Sequence, residues 1–138
     1  MAAQDGANGF RLRHTMIRVE DLDISVVFYT ELLGMTVMRK RVSEERGETV
    51  AYVGYGDEET THALEIVQEH NPPTEWRHGN TYGHVALGVP DVSALSETLV
   101  KAGVEFTVPP QLVREGSPNK LAFIKDPDGY EIELTERH

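Results

Sequence analysis

The chain contains no cysteine, which excludes disulfides, thiolate metal ligands and a cysteine nucleophile together. It is short of positive charge: 13 Lys and Arg stand against 23 Asp and Glu, for a formal net charge of −10. Phosphate backbones and anionic bilayers repel such a surface, so neither nucleic acid nor membrane is an expected partner. No apolar run approaches the roughly 18 residues that a spanning helix needs. Residues 1–10 are small and polar, without the apolar centre of a secretion signal. A flexible tail over residues 1–10 and a cytoplasmic location are the expectations. What remains is an ordinary globular composition, 138 residues of which 39% are hydrophobic, enough for one structural domain and too few for two independent ones.

A repeat organises that domain. The segment HTMIRVEDLDISVVFYTELLGM, starting at His14, aligns with HVALGVPDVSALSETLVKAGVEF, starting at His84, at an offset of 70 (84 less 14). Val19 falls on Val89, Asp21 on Asp91 and, after a slip of one residue, Gly34 on Gly103. In both copies alternating β-branched and apolar residues (Thr15, Ile17, Val19; Val85, Leu87, Val89) predict a strand, and the Asp that follows predicts a helix start. Apolar residues at helical spacing (Ile24, Val27, Phe28, Leu32; Val92, Leu95, Leu99) predict the helix, and the glycines its C-terminal cap. Three more strands follow in each copy: near Met35 to Val42, Thr49 to Tyr55 and His62 to Glu69, then near Glu105 to Val108, Leu121 to Lys125 and Tyr130 to Glu136. Asp126-Pro127-Asp128-Gly129 joins the last two with the residues of a type I turn.

The predicted fold is therefore α+β: two tandem βαβββ modules forming a curved, mostly antiparallel sheet around a cleft. The first module spans 11–70, a breaker-rich linker with Asn71-Pro72-Pro73 and Gly79 spans 71–80, and the second module spans 81–138. The two belong to one structural domain, because a lone four-stranded sheet with one helix leaves an apolar face for its twin to cover.

Each first strand opens with a histidine, and each last strand carries a glutamate, in Ala63-Leu64-Glu65-Ile66-Val67 and Tyr130-Glu131-Ile132-Glu133-Leu134. The intervals nearly agree: Glu65 lies 51 residues after His14, and Glu133 lies 49 after His84. Strand alternation places His14 opposite Thr15 and Ile17, and sets Glu65 and Glu133 opposite the apolar residues that flank them, so all four point to the helix-free side. Singly, a strand His or Glu is most often part of a solvated face. Two residue types repeated at matched positions are better explained by a shared task, the binding of one divalent metal ion. Two imidazoles and two carboxylates suit borderline ions such as Ni, Co, Zn, Mn or Fe, and leave two octahedral positions for water or substrate oxygens. His62, His70, His78 and His138 fall in loops or at the terminus and are expected to be solvated.

Several pieces together resemble a known family: His14-Thr15-Met16-Ile17-Arg18-Val19, Phe28-Tyr29 with Leu33-Gly34-Met35, Tyr82-Gly83-His84-Val85-Ala86, and Ala122-Phe123-Ile124 followed by Asp126-Pro127-Asp128-Gly129-Tyr130. From about Arg11 to Glu136 the sequence resembles the glyoxalase I (lactoylglutathione lyase) family of the vicinal oxygen chelate superfamily. The resemblance implies a homodimer whose metal sites lie between subunits, His14 and Glu65 from one chain and His84 and Glu133 from the other. It implies conversion of the methylglyoxal–glutathione hemithioacetal to S-lactoylglutathione, with Glu133 as the base and Glu65 able to share the proton transfer. The compact chain is similar to bacterial forms that prefer Ni2+ or Co2+, with Zn2+ and Mn2+ as alternatives. Arg18 matches a residue that binds the γ-glutamyl end of glutathione. Glu69 stands where the family usually has Asn, Asn71 could replace that Asn only through a strand bulge, and Lys120 is a candidate for the glycine carboxylate. The rival readings are a dioxygenase or epimerase on the same scaffold, and a metal-free module that sequesters a small molecule.

Overall fold

The computed structural model describes residue 6 and residues 8–136. The expected tail over 1–10 lies mostly outside the described residues, and His138 wholly so. Strand β1 (His14–Arg18) leads into helix α1 (Leu22–Val27), which runs on as a π-helical turn over Phe28–Leu32. Strands β2 (Thr36–Ser43), β3 (Glu48–Gly54) and β4 (Ala63–Glu69) follow. The second copy holds β5 (His84–Gly88), α2 (Val92–Lys101), β6 (Phe106–Leu112), β7 (Lys120–Lys125) and β8 (Glu131–Thr135). The chain forms two compact units, one ending at Thr74 and the next beginning at Glu75. Each contains one four-stranded sheet, ordered β1-β4-β3-β2 and β5-β8-β7-β6. In both sheets the first strand pairs parallel with the last and the remaining pairs are antiparallel.

The helix starts are built alike. Asp21 accepts a hydrogen bond from the Ile24 amide at 3.1 Å and Asp91 from the Ala94 amide at 2.9 Å, each satisfying one of the orphaned donors of a first helical turn. At the other ends Gly34 and Gly103 have φ of +70° and +81°, a backbone shape that any side chain would strain. Against the helices pack Ile17, Val19, Leu64 and Ile66 in the first sheet and Leu87, Ala122, Ile124, Ile132 and Leu134 in the second, all buried. Each such Leu or Ile contributes about 1.5–3 kcal/mol by leaving water.

Two expectations need correction. Ile24 and Val27 are not on the core face of α1; they are 56% and 57% exposed, whereas Leu22, Ser25 and Tyr29 are buried together with the expected Phe28. Leu22, Ser25 and Tyr29 form a second stripe at helical spacing (i, i+3, i+7), and that stripe is the one covered; Ile24 and Val27 lie before the π-helical turn, which takes up one extra residue. That turn also accounts for the slip in the repeat, since thirteen positions separate Asp21 from Gly34 and twelve separate Asp91 from Gly103. The second correction concerns β6, which continues through Pro109 and Pro110 to Leu112 rather than stopping at Val108. Proline is tolerated there because β6 is an edge strand, bonded only to β7 and with irregular register between Phe106 and Gln111. The histidines expected to be solvated, His62, His70 and His78, are exposed, and each also makes a local contact. His62 contacts Thr15 Oγ1 and the Leu12 carbonyl, His70 contacts Thr49 Oγ1, and His78 stacks on Tyr130 with ring centroids 4.5 Å apart. No helix among the described residues is long and apolar enough to cross a membrane.

Candidate metal centre

The register explains how each histidine finds its glutamate. Met16 stands beside Glu65 and Ala86 beside Glu133, so His14 and His84, two residues earlier on the same face, occupy the same diagonal in their sheets. His14 Nε2 lies 2.9 Å from Glu65 Oε2, and His84 Nε2 lies 3.2 Å from Glu133 Oε2. The imidazoles are about a third exposed, while the carboxylates are more enclosed, at 12% and 22%.

These spacings can be tested against the geometry of an ion. Neighbouring ligands at about 2.1 Å from an octahedral centre are about 3.0 Å apart, and tetrahedral ligands at about 2.0 Å are about 3.3 Å apart. Both His–Glu contacts, at 2.9 and 3.2 Å, lie close to those spacings, so each pair is compatible with two neighbouring ligands of one ion. The donor set fits a divalent ion. Each pair supplies two ligands, and in neither unit do three or more His, Asp or Glu side chains converge as a metal-binding group among the described residues.

An aromatic ring backs each pair. Tyr52 stands beside Glu65 on β3 and Phe123 beside Glu133 on β7. Each meets its histidine edge-on, Tyr52 at 5.5 Å from His14 and Phe123 at 4.9 Å from His84, a favoured aromatic geometry. Only Tyr52 carries a hydroxyl, and it donates to Glu65 Oε1 at 3.0 Å. Arg41 Nη2 lies 3.1 Å from Glu48 Oε1 and 3.4 Å from the same Glu65 oxygen. Hydrogen bonding to Tyr52 and then Glu48 raises the Arg41 pKa, so the guanidinium stays charged. Next to it Arg39 lies over the Tyr52 ring, 4.0 Å from its centroid, and grips Glu58 with two hydrogen bonds of 2.9 and 2.7 Å.

A family model described as the Glyoxalase/Bleomycin resistance protein/Dioxygenase superfamily matches residues 11–134. The chain belongs to this glyoxalase superfamily. It is 43% identical over 126 residues to a probable lactoylglutathione lyase of Vibrio cholerae, covering 91% of this chain and 90% of that one. It is 39% identical to a lactoylglutathione lyase of Haemophilus influenzae, with 91% and 92% covered. Among solved structures, a trypanothione-dependent glyoxalase I of Leishmania major superposes with a TM-score of 0.79 at 42% identity, over 91% of this chain and 85% of that one. A glyoxalase I of Zea mays superposes at 0.85 and 37% identity over 92% of this chain but only 44% of its own. The chain is a lactoylglutathione lyase-like enzyme.

The other candidates for this glyoxalase-type site divide. Arg18 shares the face of His14, and its Nε donates to Glu69 Oε1 at 3.0 Å, so the two form an ion pair. Strand β4 pairs with β3 in unbroken register as far as Glu69, and Asn71 lies beyond its end. Lys120 does not join them. It lies on the strand face of the buried Ala122 and Ile124, toward α2, and its Nζ donates to Ser93 Oγ at 3.0 Å. Strand alternation turns it away from the face that carries Phe123. Tyr52, Phe123 and Arg41, which do stand at the two pairs, were missed because the hairpins differ in length: Tyr52 is 13 residues before Glu65 and Phe123 is 10 before Glu133.

Proposed function

We propose that the chain isomerises the hemithioacetal of methylglyoxal and glutathione to S-lactoylglutathione, with a divalent ion held by His14, Glu65, His84 and Glu133. The observation that carries this reading is the doubled His–Glu contact at 2.9 and 3.2 Å, spaced as ligands of one ion. Relatives named lactoylglutathione lyase, matched over nine-tenths of both chains, support the substrate. Two ligands per unit are too few for a tight site. The reading is completed by a homodimer in which the His14–Glu65 pair of one chain meets the His84–Glu133 pair of a second copy. Mixed imidazole and carboxylate donors suit Ni2+, Co2+, Zn2+ or Mn2+, and the resemblance to compact bacterial forms puts Ni2+ or Co2+ first. A cytoplasmic setting, where glutathione stays reduced, agrees with that substrate.

When bound, the ion would stabilise negative charge on the substrate oxygens as the carbon-bound proton departs. Glu133 takes that proton from the carbon bearing sulfur and returns it to the neighbouring carbon, while the hydroxyl proton passes from the first carbon's oxygen to the second's, so substrate and product are isomers and no further reactant is consumed. General-base transfer of this kind needs a carboxylate oxygen free of other donors. Among the described residues nothing donates to Glu133 Oε1, whereas Glu65 Oε1 accepts from Tyr52. Arg18, on the same side of β1 as His14, is the cation for the thiol's carboxylate, in competition with Glu69.

The test is thioester formation from methylglyoxal and glutathione by the metal-stripped protein refilled with Ni2+, Co2+, Zn2+ or Mn2+. Activity should return with Ni2+ or Co2+ first, and His84→Ala should lose both metal retention and turnover. Undiminished turnover by a metal-free His84→Ala protein would end the proposal.

A further inference from the structure

The two His–Glu pairs occupy the same lattice points of their sheets, yet their surroundings differ by one oxygen and one charge. In the first unit the Tyr52 hydroxyl donates to Glu65 Oε1 at 3.0 Å, and Arg41 stands 3.4 Å from that atom. In the second unit Phe123 occupies the place of Tyr52. Gln111, opposite Leu121 as Arg41 is opposite Val50, occupies the place of Arg41. Neither brings a donor to Glu133 among the described residues. The Tyr52 hydroxyl is not a loosely hung group. Its ring is 4% exposed, sits among buried Val50, Ala63 and Val67 with Met38 packed against them, and has the Arg39 guanidinium on its face.

A carboxylate with one oxygen turned to a histidine and the other held by a fixed donor has lost its freedom to rotate. Bidentate binding and proton acceptance both need the second oxygen, and the Tyr52 hydroxyl competes with both at Glu65. From this we infer that Tyr52 is a positioning residue that, supported by Arg41, holds Glu65 as a one-oxygen ligand, so that the proton is carried by Glu133 alone. This rests on the metal-dependent reading above and deepens it: the two halves of the repeat have been given different duties by a single hydroxyl. Glu65 Oε2 stays directed to the ion, and Glu133 keeps one oxygen for the ion and one for the substrate's proton.

The structure supplies its own experiment, a reciprocal exchange in the full chain, because each sheet shows which ring the other accepts. Tyr52→Phe keeps the edge contact to His14 and removes only the donor. Its Ni2+ dissociation constant, measured by chelator competition, should rise about tenfold, as expected when an outer hydrogen bond to a ligand is lost. The visible spectrum of its Co2+ form should shift as Glu65 gains a second binding mode. Phe123→Tyr places a donor beside Glu133, and kcat should fall about tenfold or more with metal affinity and KM held near wild type. A Tyr52→Phe protein with wild-type metal affinity and an unchanged Co2+ spectrum overturns the inference, as does a folded Phe123→Tyr enzyme with wild-type kcat. If the extra hydroxyl prevents Phe123→Tyr from folding, the metal affinity and spectrum of Tyr52→Phe decide alone. Those two readouts need no turnover, so they judge the role of Tyr52 even if the wild-type chain makes no lactoylglutathione.

Discussion

Glu136 accepts a hydrogen bond from the Val92 amide at 2.9 Å, tying the end of the last strand to the first turn of α2. Gln68 does the same for Leu22 and α1, at 2.7 Å. Glu136 also accepts from the Lys120 amide at 2.8 Å through its other oxygen. Glu136→Ala strands two backbone donors at once and should destabilise the protein by about 1–2 kcal/mol, read as a lower midpoint in urea unfolding. Glu136→Gln keeps one acceptor oxygen and should lose about half as much. Equal losses from the two variants would mean that charge, not acceptance, is what matters there.

Arg39 and Glu58 predict a pH dependence. The Glu58 pKa is lowered, first by its hydrogen bonds from Arg39 and further by charge from Arg39, Arg13 and His14. A carboxylate depressed in the folded state stabilises the fold above its unfolded pKa, and that contribution is lost as pH falls through the folded value. Stability below about pH 5 should therefore fall less steeply in Glu58→Gln than in wild type. Arg39 is 44% exposed, so the pair is worth no more than about 1 kcal/mol and should weaken in salt. Coincident acid titrations of stability in the two proteins would contradict it.

Metal should appear in the melting temperature. An ion bound only by the native state adds about 2.7 kcal/mol at a hundredfold excess over its dissociation constant. Ni2+ should raise the wild-type midpoint and chelator should lower it. His14→Ala and His84→Ala should each abolish the response, because each removes one of the four proposed ligands. A full Ni2+ response in either variant would place the ion elsewhere.

Glu69 limits what Arg18 can offer a substrate, since its carboxylate occupies the guanidinium edge at Nε. Glu69→Asn removes that competing charge. The KM for the glutathione hemithioacetal should fall severalfold with kcat little changed, the mark of binding that is equal in ground and transition states. A raised KM would instead mean that Glu69 itself contacts the thiol, and so point to a thiol with a cationic group.

Much of this was readable in the residues. Asp21 and Asp91 mark helix starts because a short acceptor before an apolar run has one favourable use. Gly34 and Gly103 mark the ends because their backbone angles exclude other residues, and His14, Glu65, His84 and Glu133 share faces because strand side chains alternate. The π-helical turn was hidden, since Ile24, Val27, Phe28 and Leu32 fit an α-helical spacing as well as the true set does. Lys120 could have been placed by counting back from Ile124 along β7, whose even-numbered residues face the helix. Tyr52 could not, because its counterpart Phe123 emerges only when the unequal hairpins are laid over one another by register.

The wide turn at Phe28–Leu32 also has a meaning for how such doubled proteins change. An inserted residue inside a regular helix would swing everything beyond it by roughly 100° and carry Gly34 and the next strand out of place. Swallowed in one loosened coil, the insertion ends where it began, and the strand that brings Arg39 and Arg41 beside Tyr52 and Glu65 starts from an undisturbed anchor. Twin segments with such a buffer can drift in length independently while the ligands they inherited stay aligned.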